Sequence, residues 1–239
     1  MNFVYKIQFI RFLTLTTWKT QMNLGIDYEN LDQKVYQVVK QLIEDRKLLP
    51  GEKIPQEKLA QELGISRTPL ISALKFLEHE KLVEVKPRRG FYVRLFTKEE
   101  MISIFEIREL LEGLSARRAA KCITPQQVQF LRDIFKNFIG IGNIVDYPAY
   151  ARADKQFHTS IAEIGAKEFL ATILQTLNII TLAYQNITSE GLIREPNETI
   201  KDHLLIIDAL SNHDPEKAEE RMRDHLKKAI AQLKSNQAE

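Results

Sequence analysis

The stretch Gly64-Ile65-Ser66-Arg67-Thr68-Pro69-Leu70 is the strongest constraint on how this chain of 239 residues folds. Gly64 closes one short helix, because glycine enters the left-handed conformation at little cost. Ser66 or Thr68 can cap the next helix by accepting a backbone N–H. Pro69 falls in its first turn, where a missing N–H is harmless. Leu70, Ala73, Leu74 and Leu77 then recur at helical spacing. A short helix, a glycine turn and a second helix with a polar front end make a helix-turn-helix pattern.

The flanking residues extend that pattern. From Leu31, Val35, Val38, Val39, Leu42 and Ile43 form the apolar face of an earlier helix, which stops at the turn Leu49-Pro50-Gly51. Ile54-Pro55 reads as a brief extended piece, and Gln56 to Leu63 as the short helix before Gly64. After the motif, Leu82-Val83-Glu84-Val85 alternates as a strand does. Lys86-Pro87-Arg88-Arg89-Gly90 reads as a turn and Phe91-Tyr92-Val93 as the return strand. Three helices followed by a hairpin predict a winged helix-turn-helix over residues 26–95.

Charge agrees only in its distribution. The whole chain carries a net +2, so bulk charge does not announce a nucleic-acid binder. Residues 26–95 hold 13 Lys and Arg against 11 Asp and Glu, whereas residues 96–239 hold 18 against 21. Ser66, Arg67 and Thr68 stand at a helix N-terminus, where free N–H groups and the helix dipole favour phosphate. Arg67 can reach a guanine edge bidentately or grip a phosphate. Lys86, Arg88 and Arg89 suit a wing lying along a DNA backbone, with Gly90 allowing its tight turn.

Beyond Arg94 the strand signals vanish. Thr97 and Glu100 form a capping box at the head of a helix whose stripe continues through Ile104, Ile107, Leu111 and Leu114. Five more helices are expected: Thr124-Pro125 onward, Asp146 to Ile164, Lys167 to about Thr188, one after Glu195-Pro196, and one after Asp214-Pro215. Residues 96–236 therefore read as an all-α bundle of six to seven helices. Residues 1–25 are apolar, basic and interrupted by Lys6 and Arg11. They read as a poorly ordered extension, with Met22 as an alternative start of translation, rather than as a secretory signal or a membrane span. A single cysteine, Cys122, excludes an internal disulfide, fits a reducing cytoplasmic setting and reads as a small buried hydrophobe.

Asp154 and His158 share one helix face at spacing i, i+4, while His203 and His225 lie on the last two helices. Antiparallel packing can bring the four heads together, and three imidazoles with one carboxylate suit Zn²⁺ or another transition metal. The spacing alone leaves the alternative of surface or core histidines open. Arg108 can clamp a carboxylate bidentately or form a helix ion pair.

The block LLPGEKIPQEKLAQELGISRTPLISALKFLEHEKLVEVKPRRGFYV resembles the DNA-binding domain of GntR-family bacterial transcription regulators. Arg108-x-x-Leu111-Glu112, Asp154-x-x-x-His158, Asp202-His203 and Arg223-x-His225 resemble the FCD effector domain of the FadR-type subfamily. That resemblance implies a cytoplasmic homodimer that binds double-stranded operator DNA and is not an enzyme. It implies a divalent metal, Zn²⁺ foremost with Ni, Mn or Fe as alternatives, on Asp154, His158, His203 and His225. It further implies a small carboxylate effector near Arg108. The competing readings are a metal-dependent enzyme acting on a small organic acid, and a DNA-binding protein with a purely structural metal. Three positions depart from the family pattern: Glu57 and Ile71 replace arginines that usually contact DNA, and Lys167 replaces an asparagine after the first histidine.

Overall fold

The computed structural model describes residues 31–141, 144, 146–166, 168–185 and 193–235. The expectations for residues 1–25, Met22 and Lys167 lie outside the described residues. Two compact units emerge, one of residues 31–42 and 52–93, the other of residues 43–51 and 94–235.

The first unit contains most of α1 (Leu31–Glu44), then α2 (Gln56–Leu63), α3 (Arg67–His79) and the antiparallel strands β1 (Val83–Lys86) and β2 (Gly90–Val93). The strands pair Val83 with Val93 and Lys86 with Gly90. Ile54 N–H donates to the Phe91 carbonyl and Val93 N–H to the Glu52 carbonyl, so the extended piece before α2 lies beside the hairpin. Val35, Val39, Leu59, Leu70, Leu74, Leu77, Leu82 and Phe91 fill the core. Tyr36 Oη donates to Glu80 at 2.6 Å and Lys40 pairs with the same carboxylate, tying α1 to the end of α3.

Gly64 ends α2 with φ of 66°, and the N–H of Ile65 reaches back to the Ala60 carbonyl. The turn inside the motif is thus a left-handed glycine cap. Ser66 occupies the N-cap position of α3, but its side chain makes no capping bond. The position is as expected and the side-chain bond is not formed. α1 also ends earlier than the Pro50-Gly51 signal predicts, because Arg46 already adopts a φ of 59°.

The second unit is built from α4 (Lys98–Ala120), α5 (Pro125–Phe135), α6 (Tyr147–Gly165), α7 (Glu168–Gln185), α8 (Pro196–Ser211) and α9 (Pro215–Ser235). Helix starts follow local chemistry. Thr97 and Glu100 close a capping box on α4, Thr124 and Gln127 close another on α5, and Asp146 accepts the Ala149 N–H on α6. α4 packs against α6, α7, α8 and α9. Gly165 brings α6 so close to α4 that an added Cβ would stand 1.9 Å from the Ser115 carbonyl oxygen.

Two expectations change here. The buried face of α4 is Met101, Phe105, Arg108, Glu112, Ser115 and Ala119. Ile104, Ile107, Leu111 and Leu114 instead form a second stripe that this chain leaves uncovered or half covered, and Ile107 is exposed. Apolarity alone misassigned the inward face, because that face carries charged residues that satisfy one another. Cys122 is exposed rather than buried, since it follows the end of α4 in a turn.

Candidate metal centre and nucleic-acid interface

α6, α8 and α9 each deliver part of one buried cluster. Asp154 and His158 stand one turn apart on α6, His203 on α8 and His225 on α9. One ligand atom from each of the four lies within 4.8 Å of every other. Asp154 Oδ1 is 3.4 Å from His203 Nε2 and 3.9 Å from His158 Nε2. The four residues that the sequence singled out are therefore brought together.

The surroundings fix one imidazole by a hydrogen bond and place a carboxylate near a second, whose Nδ1 makes no hydrogen bond. His158 Nδ1 is hydrogen-bonded to Glu112 Oε2 of α4, and Glu112 Oε1 accepts from Arg108 Nε at 2.6 Å. Arg108 is 2% exposed, its Nη1 donates to Thr181 Oγ1 at 3.1 Å, and its guanidinium lies over the Phe105 ring. His225 Nδ1 sits 3.5 Å from Asp202 Oδ2, and Asp202 accepts from Arg194 at 2.8 Å and from Lys228 at 2.6 Å. His203 differs. Its ring packs on Phe135 and Phe157, and both of its nitrogens are buried without a hydrogen bond.

Electrostatics follows from this packing. Burial depresses the His203 pKa well below the usual imidazole value, with the neighbouring His225 and His158 adding to it. Burial lowers His225 as well, opposed by Asp202. Burial alone would raise Glu112, but the charges of Arg108 and His158 hold its carboxyl down to about 2. Burial works likewise on Asp202, and the groups of His225, Lys228 and Arg194 overcome it, holding that carboxyl below the usual range. The lowered values of His203 and His225 favour the neutral imidazole, the form that binds a cation.

A cavity of about 30 Å³ adjoins the cluster, lined by Phe105, Arg108, Tyr150, Arg194 and Thr199 besides Asp154, His158 and His225. Arg108 therefore lies on the cavity wall while also holding Glu112. Arg194, Tyr150 and Thr199 were not foreseen. Glu112 could have been, since Arg108 and Glu112 stand at the i, i+4 spacing of a helix ion pair. Arg194 carries the same spacing toward Glu198, which it approaches at 3.6 Å, but nothing local points it at Asp202. His213, in the turn before α9, is bonded through Nδ1 to the Ala120 carbonyl, away from the cluster.

In the first unit, Ser66, Arg67 and Thr68 are exposed at the head of α3, and Arg88 and Arg89 are exposed in the turn between β1 and β2. Arg88 takes a φ of 62°, and Gly90 begins β2. Lys86 is partly occupied, 3.0 Å from Glu84 and stacked over Tyr92. Arg67 Nη1 donates to Glu57 Oε1 at 3.2 Å, so the unusual glutamate pairs with the best candidate for DNA contact.

A winged helix-turn-helix joined to an all-helical unit defines a DNA-binding transcription regulator. The model of the "Bacterial regulatory proteins, gntR family" matches residues 31–93, and that of the FCD domain matches residues 103–228. The chain is 30% identical to the uncharacterized HTH-type transcriptional regulator YcbG of Bacillus subtilis, over 84% of this chain and 89% of that one. It is 28% identical to the Uxu operon regulator of Haemophilus influenzae, over 92% and 88%. The solved structure of E. coli McbR/YncC shares the fold with a TM-score of 0.72 at 23% identity, covering 86% of this chain and 98% of that one. The chain belongs to the GntR family of bacterial transcription regulators, with a C-terminal FCD domain. Its relatives are regulators of transcription rather than enzymes, and no helix among the described residues is long and apolar enough to cross a membrane.

Proposed function

We propose that this regulator changes its operator affinity in response to a small carboxylate bound at a divalent metal held by Asp154, His158, His203 and His225. The observation that carries the reading is His203, whose two nitrogens are fully buried and make no hydrogen bond. A buried polar group without a partner is costly, and a metal ion would satisfy one of these nitrogens. A set of three nitrogens and one oxygen fits Zn²⁺ first, with Ni, Mn and Fe as alternatives. When bound, the metal supplies a Lewis-acidic position at which a carboxylate oxygen can be held. Arg108 lines the adjoining cavity and has further N–H donors for the same carboxylate.

Residues 26–95 form the DNA-reading part in this proposal, through Ser66, Arg67, Thr68, Lys86, Arg88, Arg89 and Gly90. Residues 96–236 form the effector and dimerisation part. A homodimer in the cytoplasm addresses two operator half-sites, and the uncovered stripe of Ile104, Ile107, Leu111 and Leu114 supports a subunit contact on α4. Carboxylate binding shifts the population of bundle conformations and with it DNA affinity.

The test is elemental analysis of the purified protein, followed by thermal shift with Zn²⁺ and a panel of sugar acids and short metabolic acids. Fluorescence anisotropy on DNA from upstream of its own gene completes it. Stoichiometric metal, an acid-dependent shift that His158→Ala abolishes, and an acid-dependent change in DNA affinity are expected. A protein that binds its DNA with no metal and no response to any acid sinks the effector part of the reading.

A further inference from the structure

Resting on the metal reading above, we infer that Glu112 and Asp202 are a matched pair of positioning residues. Each turns one histidine so that its Nε2 faces the metal, and each is itself held by an arginine. Glu112 of α4 takes the Nδ1–H of His158 on α6 and is fixed by Arg108. Asp202 of α8 faces Nδ1 of His225 on α9 and is fixed by Arg194, with Lys228 on its other oxygen. The two arrangements repeat one logic with residues from four different helices.

Stability alone is a poor reason for this arrangement. Arg108 and Glu112 are both almost wholly buried, and a buried ion pair is commonly no more stabilising than apolar side chains of similar volume. A neutral imidazole offers a lone pair on only one nitrogen, however, and the proton on the other decides which. With Nδ1–H donated to Glu112, the lone pair of His158 is on Nε2, the nitrogen 3.9 Å from Asp154. His203 has no such carboxylate. The faces of Phe135 and Phe157 hold its ring in place without selecting a tautomer. The pocket thus has one ligand set in advance by a hydrogen bond, a second facing a carboxylate 3.5 Å away that closes on it when the metal is held, and a third set by the metal alone.

The experiment uses the full-length protein with Zn²⁺ alone as probe, titrated against a chromogenic chelator. Imidazole ¹⁵N spectra of the metal-free form accompany it, because a merely structural role would leave the His158 tautomer untouched. Glu112→Gln and Asp202→Asn are expected to weaken Zn²⁺ binding about 10–100-fold, and Glu112→Gln to lose the pure Nδ1–H form of His158. Zn²⁺ affinity within about twofold of wild type, with the tautomer retained, overturns the inference. Should Glu112→Gln fail to fold with Arg108 left unpaired, the double variant Arg108→Met/Glu112→Gln removes both charges. The same loss of Zn²⁺ affinity is expected of it, and wild-type affinity in it counts against the inference. Wild-type protein that binds no Zn²⁺ defeats the metal reading itself, and this inference with it.

Discussion

The ring of His203 lies nearly parallel to that of Phe135, with centroids 4.8 Å apart and planes 21° apart. The imidazole is packed as if it were a third aromatic hydrocarbon, yet it carries two nitrogens that nothing among the described residues satisfies. Burying such a group costs about 1–3 kcal/mol. His203→Phe should therefore raise the melting temperature of the metal-free protein, by roughly 2–8 °C for a chain of this size. The same substitution should abolish the stabilisation produced by Zn²⁺. A variant that melts lower in the metal-free state and still gains stability from Zn²⁺ would show that His203 is not a ligand.

Arg67 is paired with Glu57 across the head of the helix-turn-helix. DNA phosphates must draw Arg67 away from that carboxylate. Glu57→Gln should strengthen binding to upstream DNA. Glu57→Arg should strengthen it further and make the slope of log K against log salt more negative by about 0.9, the contribution of one added phosphate contact. Anisotropy titrations between 50 and 200 mM salt decide this. An unchanged slope in Glu57→Arg would place residue 57 off the DNA.

Acid should act in two stages on the metal-free protein. The pKa values of His203 and His225 are lowered in the folded state, so the unfolded chain binds protons there first. Their contribution is full above the unfolded value near about 6.5 and falls as pH drops below it. Glu112, held at about 2, and Asp202, also held low, contribute stability above the unfolded carboxylate range. That part is lost only as pH falls from about 4.5 toward 2. Melting temperatures measured from pH 8 to 3 should show the first decline near 6 and a second near 4. A flat profile between pH 7 and 5 is incompatible with neutral, buried imidazoles.

Gly165 of α6 faces the backbone of α4 with no room for a methyl group, since the added Cβ would meet Ser115 O at 1.9 Å and Ala119 N at 2.8 Å. Backbone atoms cannot rotate aside as a flexible side chain can. Gly165→Ala should therefore cost about 3 kcal/mol, the upper end of ordinary overpacking, and weaken Zn²⁺ binding by displacing His158, two turns earlier on the same helix. Calorimetry of the variant, with and without Zn²⁺, measures both effects. A melting temperature equal to wild type would mean the two helices separate freely.

The helix-turn-helix could be read almost residue by residue, because glycine caps, proline positions and helical periodicity are local. The same holds for the Thr97–Glu100 box and the start of α6 at Asp146. The four clustered side chains were also readable, although their convergence depended on the packing of three helices. What could not be read was set by partners far along the chain. The Arg108–Glu112 pair was readable from its spacing, but the part of Glu112 toward His158, that of Asp202 toward His225 and that of Arg194 on the cavity wall arise only when other helices pack. Burial of Arg108 together with Glu112 inverted the expected faces of α4, since mutual pairing lets charges occupy positions that an apolar pattern assigns to isoleucine and leucine.

On α4, Ile107 adjoins Arg108 and Leu111 adjoins Glu112, so residues of the outer stripe alternate with residues that hold the cluster. An α-helix with its side chains is only about 10–12 Å across. Neighbours on a helix stand about 100° apart around its axis, so a roll of α4 cannot shift Glu112 without shifting Leu111 as well. The metal cluster and whatever covers the stripe therefore bear on adjoining faces of one rigid rod, and a movement at either is handed directly to the other.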